Sequence, residues 1–346
     1  MKALVFHGHR DVRYETVPDP VLPDERGMIV KTQLTAICGS DLHAYHNPHA
    51  PARPGGAMGH EFLGEVVEVG SQVRKFKPGD RVFLAAAFGC GDCPPCMRGA
   101  IGSCHRSPAR VWGGLGLGGG QAEAVAIPVA DHCAHKIEGM TDEQAVLLTD
   151  ILPTGYYGAR NAEIKPGQSV AIFGMGPVGL MALMSAQLFS PAKIFAVDLL
   201  PERLEVAKRL GAIPVDGNQD PVSVIRDQTD GLGPDACIEA TGPDASVLAA
   251  LDAVRRGGIV SMIGVNMNPA FPFPIGPALM KDLTFRVGVC PIPEQWPHVI
   301  PLVQSGRLHP EQIVTTRVPL SGGPEAYDQF DRKVGGILKV VMDEVG

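Results

Sequence analysis

The sequence predicts an α/β protein of two domains: a β-rich domain assembled from both ends of the chain and, between them, a doubly wound domain around a parallel sheet. Three observations carry this. From about residue 152, short apolar runs rich in β-branched residues alternate with helical stretches, the pattern of a parallel sheet covered on both faces. At the head of that alternation stands Gly174-Met-Gly-Pro-Val-Gly179, a glycine-rich turn between a strand-like and a helix-like run. Residues 1 to about 85 read instead as short strands separated by Gly/Pro turns, as in Met28–Leu34, Gly64–Gly70 and the turn Lys77-Pro-Gly-Asp-Arg-Val82.

Through the alternation the expected strands are Ser169–Phe173, Ile194–Asp198, Ile213–Val215, Asp235–Glu239, Gly258–Gly264 and Leu283–Val289. Helices are expected between them at about 178–189, 201–210, 220–229 and 244–255. From about 291 the alternation stops, and Gly335–Met342 reads as a strand that returns to the first domain. The expected domains are therefore 1–151 together with 291–346, and 152–290.

The glycine-rich turn has the setting that a dinucleotide requires. Gly174 permits a tight turn, Gly176 lets the backbone approach a pyrophosphate, and Gly179 lets helix and strand pack closely, with Pro177 and Val178 opening the helix. The N-terminus of that helix supplies oriented N–H groups for the anion. Asp198, about 20 residues on, would accept hydrogen bonds from a ribose and repel a 2′-phosphate, which favours NAD over NADP. Arg203 completes the residues expected around the cofactor.

Composition bounds the rest. With 45% hydrophobic and 19% charged residues the chain has the makeup of a folded protein with sizeable cores, not of a disordered one. A net charge of −7 offers no general attraction to nucleic acid or an acidic membrane. The N-terminal stretch Met1–Arg10 is too short in its apolar part for a secretory signal, so a cytoplasmic location is expected. Ser169–Phe189 is about as long and apolar as a membrane span, but its internal glycine turn fits a buried strand followed by a covered helix. Eight cysteines in such a chain suggest metal through their spacing, not disulfides.

The strongest metal signal is Cys90, Cys93, Cys96 and Cys104 in one Gly/Pro-rich segment. Four thiolates close a tetrahedral shell and leave no open position, the arrangement of a structural zinc. A lobe with so little core of its own would take much of its fold from the metal. Two further segments carry soft or borderline ligands: Cys38-Gly-Ser-Asp-Leu-His43 and Gly59-His-Glu61. Cys38 and His60 can supply two of the three ligands a catalytic zinc needs, although alone each also reads as a small buried hydrophobe and a structural donor. Asp41 and Glu61 supply carboxylates of the kind that metal-bound imidazole takes on its other nitrogen. Gly113–Gly120 reads as a loop beside the site, and Trp112 as pocket wall or core. Thr141–Asp150 reads as one helix with Thr141 as its N-cap. Asp150 would then stand at the end where a carboxylate opposes the helix dipole, either as a solvated surface group or compensated by a cation.

On the motif Gly59-His-Glu-Phe-Leu-Gly-Glu-Val-Val-Glu-Val-Gly70, the Cys38–His43 segment, the four-cysteine lobe and the Gly174–Gly179 turn, the chain resembles the zinc-dependent medium-chain alcohol dehydrogenases over nearly its whole length. The resemblance implies a GroES-like catalytic domain bracketing a Rossmann cofactor domain, with the active site in the cleft between them. It implies Cys38, His60 and Asp150 as catalytic zinc ligands, Glu61 as a carboxylate able to swing onto the metal, and Asp41 as the partner of His60. Ser40 would take the substrate proton, with His43 further along the relay, and the four cysteines would hold a structural zinc. Lys339 falls near a basic position that contacts the pyrophosphate in relatives, and Ile263, Val265 and Val287 fall where backbone orients the nicotinamide. Two departures stand out. The third ligand is cysteine in many relatives, whereas Asp150 here looks like the bacterial secondary-alcohol and formaldehyde dehydrogenase branches; some members of the secondary-alcohol branch use NADP and lack the cysteine lobe. Gly39 occupies a position that is basic in some relatives.

The expected function is reversible hydride transfer between NAD and a primary or secondary alcohol, aldehyde or ketone, with two zinc ions per chain. A polyol or amino-alcohol dehydrogenase of sorbitol or threonine type would keep the zinc but present a polar pocket. A zinc-free quinone or enone reductase of the same superfamily would need no thiolate ligands. The candidate lining, Ala86, Ala87, Trp112, Val289 and Cys290, is mostly apolar and leans toward simple alcohols. A small-molecule substrate, no nucleic acid and no membrane partner are expected. The Pro-rich stretch Pro269–Pro274, near which relatives pair, makes a homodimer or homotetramer the expected assembly.

Overall fold

A computed structural model describes residues 1–46, 55–106, 110–114 and 117–345. Leu115 and Gly116 of the expected glycine-rich loop lie outside the described residues. The chain divides into two compact units, Met1–Asp150 with Pro291–Gly346, and Ile151–Cys290.

The first unit is organised on a seven-stranded sheet. Its path runs Val314–Pro319, Lys339–Asp343, Met28–Ile37, Glu61–Val69, Arg81–Leu84, Ala134–Lys136, and Ala124–Ile127 also pairs with Met28–Ile37. Met28–Ile37 is central because it is buried nearly throughout and pairs with three strands; its side chains Met28 and Val30 join Phe62, Val66, Phe88, Trp112 and Val125 in one buried core. The strand expected at Gly64 begins earlier, at Glu61, so His60 stands immediately before it. The returning strand begins later than expected, at Lys339, because Gly335 and Gly336 take positive φ of 64° and 76° in the preceding turn.

The second unit carries six parallel strands in the order Ile213–Asp216, Lys193–Asp198, Ser169–Phe173, Ala236–Glu239, Ile259–Met262, Thr284–Val287. The chain reverses direction across the sheet at Ser169–Phe173, whose neighbours are Lys193–Asp198 on one side and Ala236–Glu239 on the other. All six lie where the alternation predicts them. The span-like run 169–189 folds as the strand Ser169–Phe173 and the helix Pro177–Gln187. Among the described residues no helix is long and apolar enough to cross a membrane.

One element departs from expectation. The stretch after Thr141 is two helices, Asp142–Leu147 and Ile151–Asn161, not one. Thr141 caps the first in a capping box with Gln144. Asp150 is therefore the residue before the second helix, the end whose partial charge favours an anion, and the expected opposition to a helix dipole does not arise.

Candidate functional site

Sheet register brings distant residues together. Ala36 lies opposite Glu61, and Ile37 opposite Val340. Cys38, just past the end of its strand, thus meets His60 on one side and Lys339 on the other. Asp150 arrives from a segment pinned by two hydrogen bonds: the Ala86 N–H donates to the Thr149 carbonyl at 2.8 Å, and the Trp296 indole to the Leu148 carbonyl at 2.9 Å. Cys38, His60, Glu61 and Asp150 then each offer a ligand atom, all within 4.8 Å of one another. Asp150 Oδ2 lies 3.5 Å from Cys38 Sγ and 3.3 Å from His60 Nε2. Zinc bonds of about 2.3 Å to sulfur and about 2.0–2.1 Å to nitrogen or oxygen, at tetrahedral angles, place such donors roughly 3.3–3.5 Å apart. The donor set fits the ion in spacing and in chemistry.

The surroundings hold these donors. Asp41 Oδ1 lies 3.0 Å from His60 Nδ1, and its other oxygen accepts from the Cys38 N–H at 3.0 Å. Ser40 Oγ is 3.2 Å from both Cys38 Sγ and His60 Nε2, so its hydroxyl faces the point where the donors converge. Burial pushes the Cys38 thiol pKa up. Burial works against a charged His60 ring, yet Asp41, Cys38 and Asp150 together hold its pKa well above the usual histidine value. His43 lies on the exposed face of the short helix Asp41–His46, and partial desolvation of its ring, followed by the nearby His46, lowers its pKa.

Glu61 and Lys339 are both fully buried and form an ion pair, with Lys339 Nζ also donating to the Ile37 carbonyl at 2.9 Å. Burial opposes the ammonium, but Glu61 holds its pKa above the ordinary lysine value. Glu61 Oε1 has no hydrogen-bond partner, an open acceptor among the converging donors. Lys339 Nζ is thus enclosed beside Glu61, a partner the sequence reading did not give it. The sequence signal was there, since a lysine inside the apolar run Ile337-Leu-Lys-Val-Val-Met342 demands a buried partner.

The four-cysteine lobe closes as its spacing predicts. Cys90, Cys93, Cys96 and Cys104 offer sulfurs within 4.8 Å of one another, with Cys90–Cys96 at 3.9 Å and Cys93–Cys104 at 4.0 Å. A disulfide is about 2.05 Å, whereas four thiolates about 2.3 Å from a zinc ion stand roughly 3.8 Å apart. Gly89 is needed for this approach, because a Cβ there would come within 2.4 Å of Cys96 Sγ.

In the second unit Gly174 takes φ +94°, and a Cβ on Gly179 would sit 1.7 Å from the Gly174 carbonyl oxygen. Around Gly176 the nearest atom to such a Cβ is Arg203 Nη1 at 3.5 Å, so the protein leaves room there. The helix Pro177–Gln187 has no side-chain cap, which leaves its first N–H groups to an anion. Asp198 accepts from Met175 N–H at 2.6 Å and Leu200 N–H at 2.9 Å, with Arg203 Nη1 3.8 Å away. It therefore also stitches the glycine turn, a role the sequence reading did not foresee. The turn fits a dinucleotide. Val265 and Val287 are exposed and Ile263 half-buried.

The expected pocket residues belong to different units. Ala86 is buried in the first unit; Cys290 is buried and Val289 exposed in the second. Trp112 is not pocket wall: it is 2% exposed, stacks on Phe88, meets Phe62 edge-on and donates its indole N–H to the Ala85 carbonyl. Its ring has no free face for a substrate.

Comparison with known proteins agrees with this architecture. Residues 24–138 match the model of the alcohol dehydrogenase GroES-like domain, and residues 177–305 that of the zinc-binding dehydrogenases. The chain is 43% identical over 343 residues to a protein of Mycobacterium tuberculosis described as "Probable zinc-binding alcohol dehydrogenase", covering 99% of this chain and 88% of that one. It is 30% identical to sorbitol dehydrogenase of Bacillus subtilis, covering 99% and 97%. The solved structure of alcohol dehydrogenase TADH from Thermus sp. ATN1 superposes with a TM-score of 0.94 at 41% identity, over 99% of each chain. The chain belongs to the zinc-dependent medium-chain alcohol dehydrogenase family, and is an oxidoreductase with a GroES-like and a Rossmann-type domain.

Proposed function

We propose that this protein is an NAD-dependent zinc alcohol dehydrogenase that interconverts a primary or secondary alcohol and its aldehyde or ketone. The observation that carries this is the convergence of Cys38, His60 and Asp150 with tetrahedral donor spacing. A zinc ion held there would supply Lewis acidity at its remaining position, lowering the pKa of an alcohol and polarising a carbonyl. A nicotinamide held by the second unit would accept or return the hydride.

The chain's own residues do the rest. Asp41 fixes the His60 ring so that Nε2 faces the donors. Ser40 Oγ, facing the converging donors, would take the hydroxyl proton, and His43, three residues on, would receive it in turn. Glu61, tied to Lys339, keeps one oxygen available to the metal. Gly174–Gly179 receives the pyrophosphate, and Asp198 supports the choice of NAD. Four thiolates hold a second zinc that maintains the lobe.

Activity with NAD and with NADP, assayed on short primary, secondary and aromatic alcohols, tests this. Turnover of simple alcohols with NAD supports it, and a strong NADP preference contradicts the role of Asp198. A polyol substrate is the second reading, favoured by the full-length similarity to a sorbitol dehydrogenase; sorbitol in the same assay separates the two.

We place the working form as a homo-oligomer in the cytoplasm. Met267, Ile275, Leu279 and Met280 are all more than 60% exposed within one segment, next to the strand Thr284–Val287 at the edge of the sheet. A second copy would cover them. Light scattering of Leu279→Glu should show a smaller particle than the parent; a monomeric parent contradicts the assembly.

A further inference from the structure

Tyr327, on the helix Gly323–Asp331, and Gln121 are both fully buried within the first unit, more than 200 residues apart in sequence. The Tyr327 hydroxyl donates to Gln121 Oε1 at 2.9 Å, and Gln121 Nε2 donates to the Ala36 carbonyl at 3.1 Å. The second bond fixes which end of the amide faces the tyrosine, since a carbonyl can only accept. Gln121 also presses on the metal-site loop: Gly59 has φ +86°, and a Cβ there would meet Gln121 Cγ at 2.4 Å. Backbone bonds close this contact, with Gly120 N–H donating to the Gly59 carbonyl at 2.8 Å and Gln121 N–H to the Met58 carbonyl at 2.9 Å. Tyr45 stacks on the Tyr327 ring and sets its plane.

We propose that Tyr327 and Gln121 are a positioning pair for His60: the hydroxyl holds the amide, the amide closes on Gly59, and the backbone that carries the imidazole is fixed there. It rests on the assignment of Cys38, His60 and Asp150 as metal ligands. A phenol in a dry core does work that a phenylalanine ring of the same shape cannot, because without the hydroxyl Gln121 Oε1 is left without a donor and the amide loses the bond that holds it against Gly59. Partners one shell beyond a metal ligand change metal affinity by roughly 10–100-fold, and a residue one step further out should act at the lower end of that range.

The test is zinc release from the full-length, zinc-loaded chain into excess chelator, followed by a metallochromic dye. His60→Ala and Cys93→Ser assign the two release phases. Tyr327→Phe is expected to speed release from the His60 site by about threefold to tenfold and to leave the four-cysteine phase unchanged. Gln121→Leu should do the same, and the double variant should be no faster than the faster single, because both act through one hydrogen bond. Release at the parental rate in Tyr327→Phe, or equal acceleration of both phases, overturns the pairing. A parent that holds zinc only on its four cysteines overturns the metal-site assignment instead, and the positioning role with it.

Discussion

The two ligand clusters of the first unit achieve similar spacing by opposite means. Cys90, Cys93, Cys96 and Cys104 come from one short loop with little regular structure, two short helical turns at Pro94–Met97 and Ile101–Ser103. Cys38, His60 and Asp150 come from three segments and meet only because the sheet has its particular register. The first cluster has little regular structure around it, whereas the second is framed by a sheet. A closed shell of four sulfurs also has no room for a substrate, whereas three donors leave a position open.

That contrast sets the expected outcomes, the largest first. His60→Ala or Cys38→Ser should lower turnover by roughly a thousandfold or more with cofactor in excess, while the fold and the cysteine-lobe zinc persist. Near-normal turnover in either would dissolve the distinction between the clusters. Cys93→Ser should do the reverse, lowering the thermal midpoint by about 10 °C or more through loss of the lobe, with the His60-site zinc retained. Equal loss of both metals in Cys93→Ser would mean that the clusters fold as one.

Lys339→Met leaves the fully buried Glu61 without its cation and should destabilise the protein by about 3–5 kcal/mol in denaturant unfolding. Adding Glu61→Gln should recover much of that loss, since no charge is then left buried alone. The pair has a pH signature of known sign. Because the folded-state pKa of Lys339 is raised, its stabilisation is full below the ordinary lysine value of about 10.4 and is lost as pH rises through the raised value. The parent should therefore lose stability at alkaline pH where the double variant does not. The smallest effect is Thr141→Ala, which removes the capping box of the helix leading toward Asp150 and should lower stability by about 1 kcal/mol without changing zinc content.

How much of this was readable follows the same contrast. The cysteine lobe and the glycine turn are local, and their chemistry is written in spacing over a few residues. The parallel sheet was legible because strands buried on both faces are continuous apolar runs. Asp150 was not legible as a helix start: Val146-Leu-Leu-Thr-Asp-Ile-Leu152 is apolar on both sides of the break, and the break is held by Ala86 and Trp296, which are distant in sequence. Trp112 was ambiguous because a large aromatic beside glycines suits a pocket or a core, and only its contacts with Phe62 and Phe88 decide. The pairing of Lys339 with Glu61 was not legible because a strand's sequence shows that a residue faces inward without showing what it meets.

The central claim is that two separable zinc sites exist and that one of them performs the chemistry. Zinc content per chain measured alongside turnover during timed chelation tests it most directly. The account predicts about two zinc ions at the start, and activity that falls in step with the ion lost from the His60 site while the four-cysteine ion remains. Undiminished alcohol oxidation by a chain whose His60 site has been emptied would contradict it.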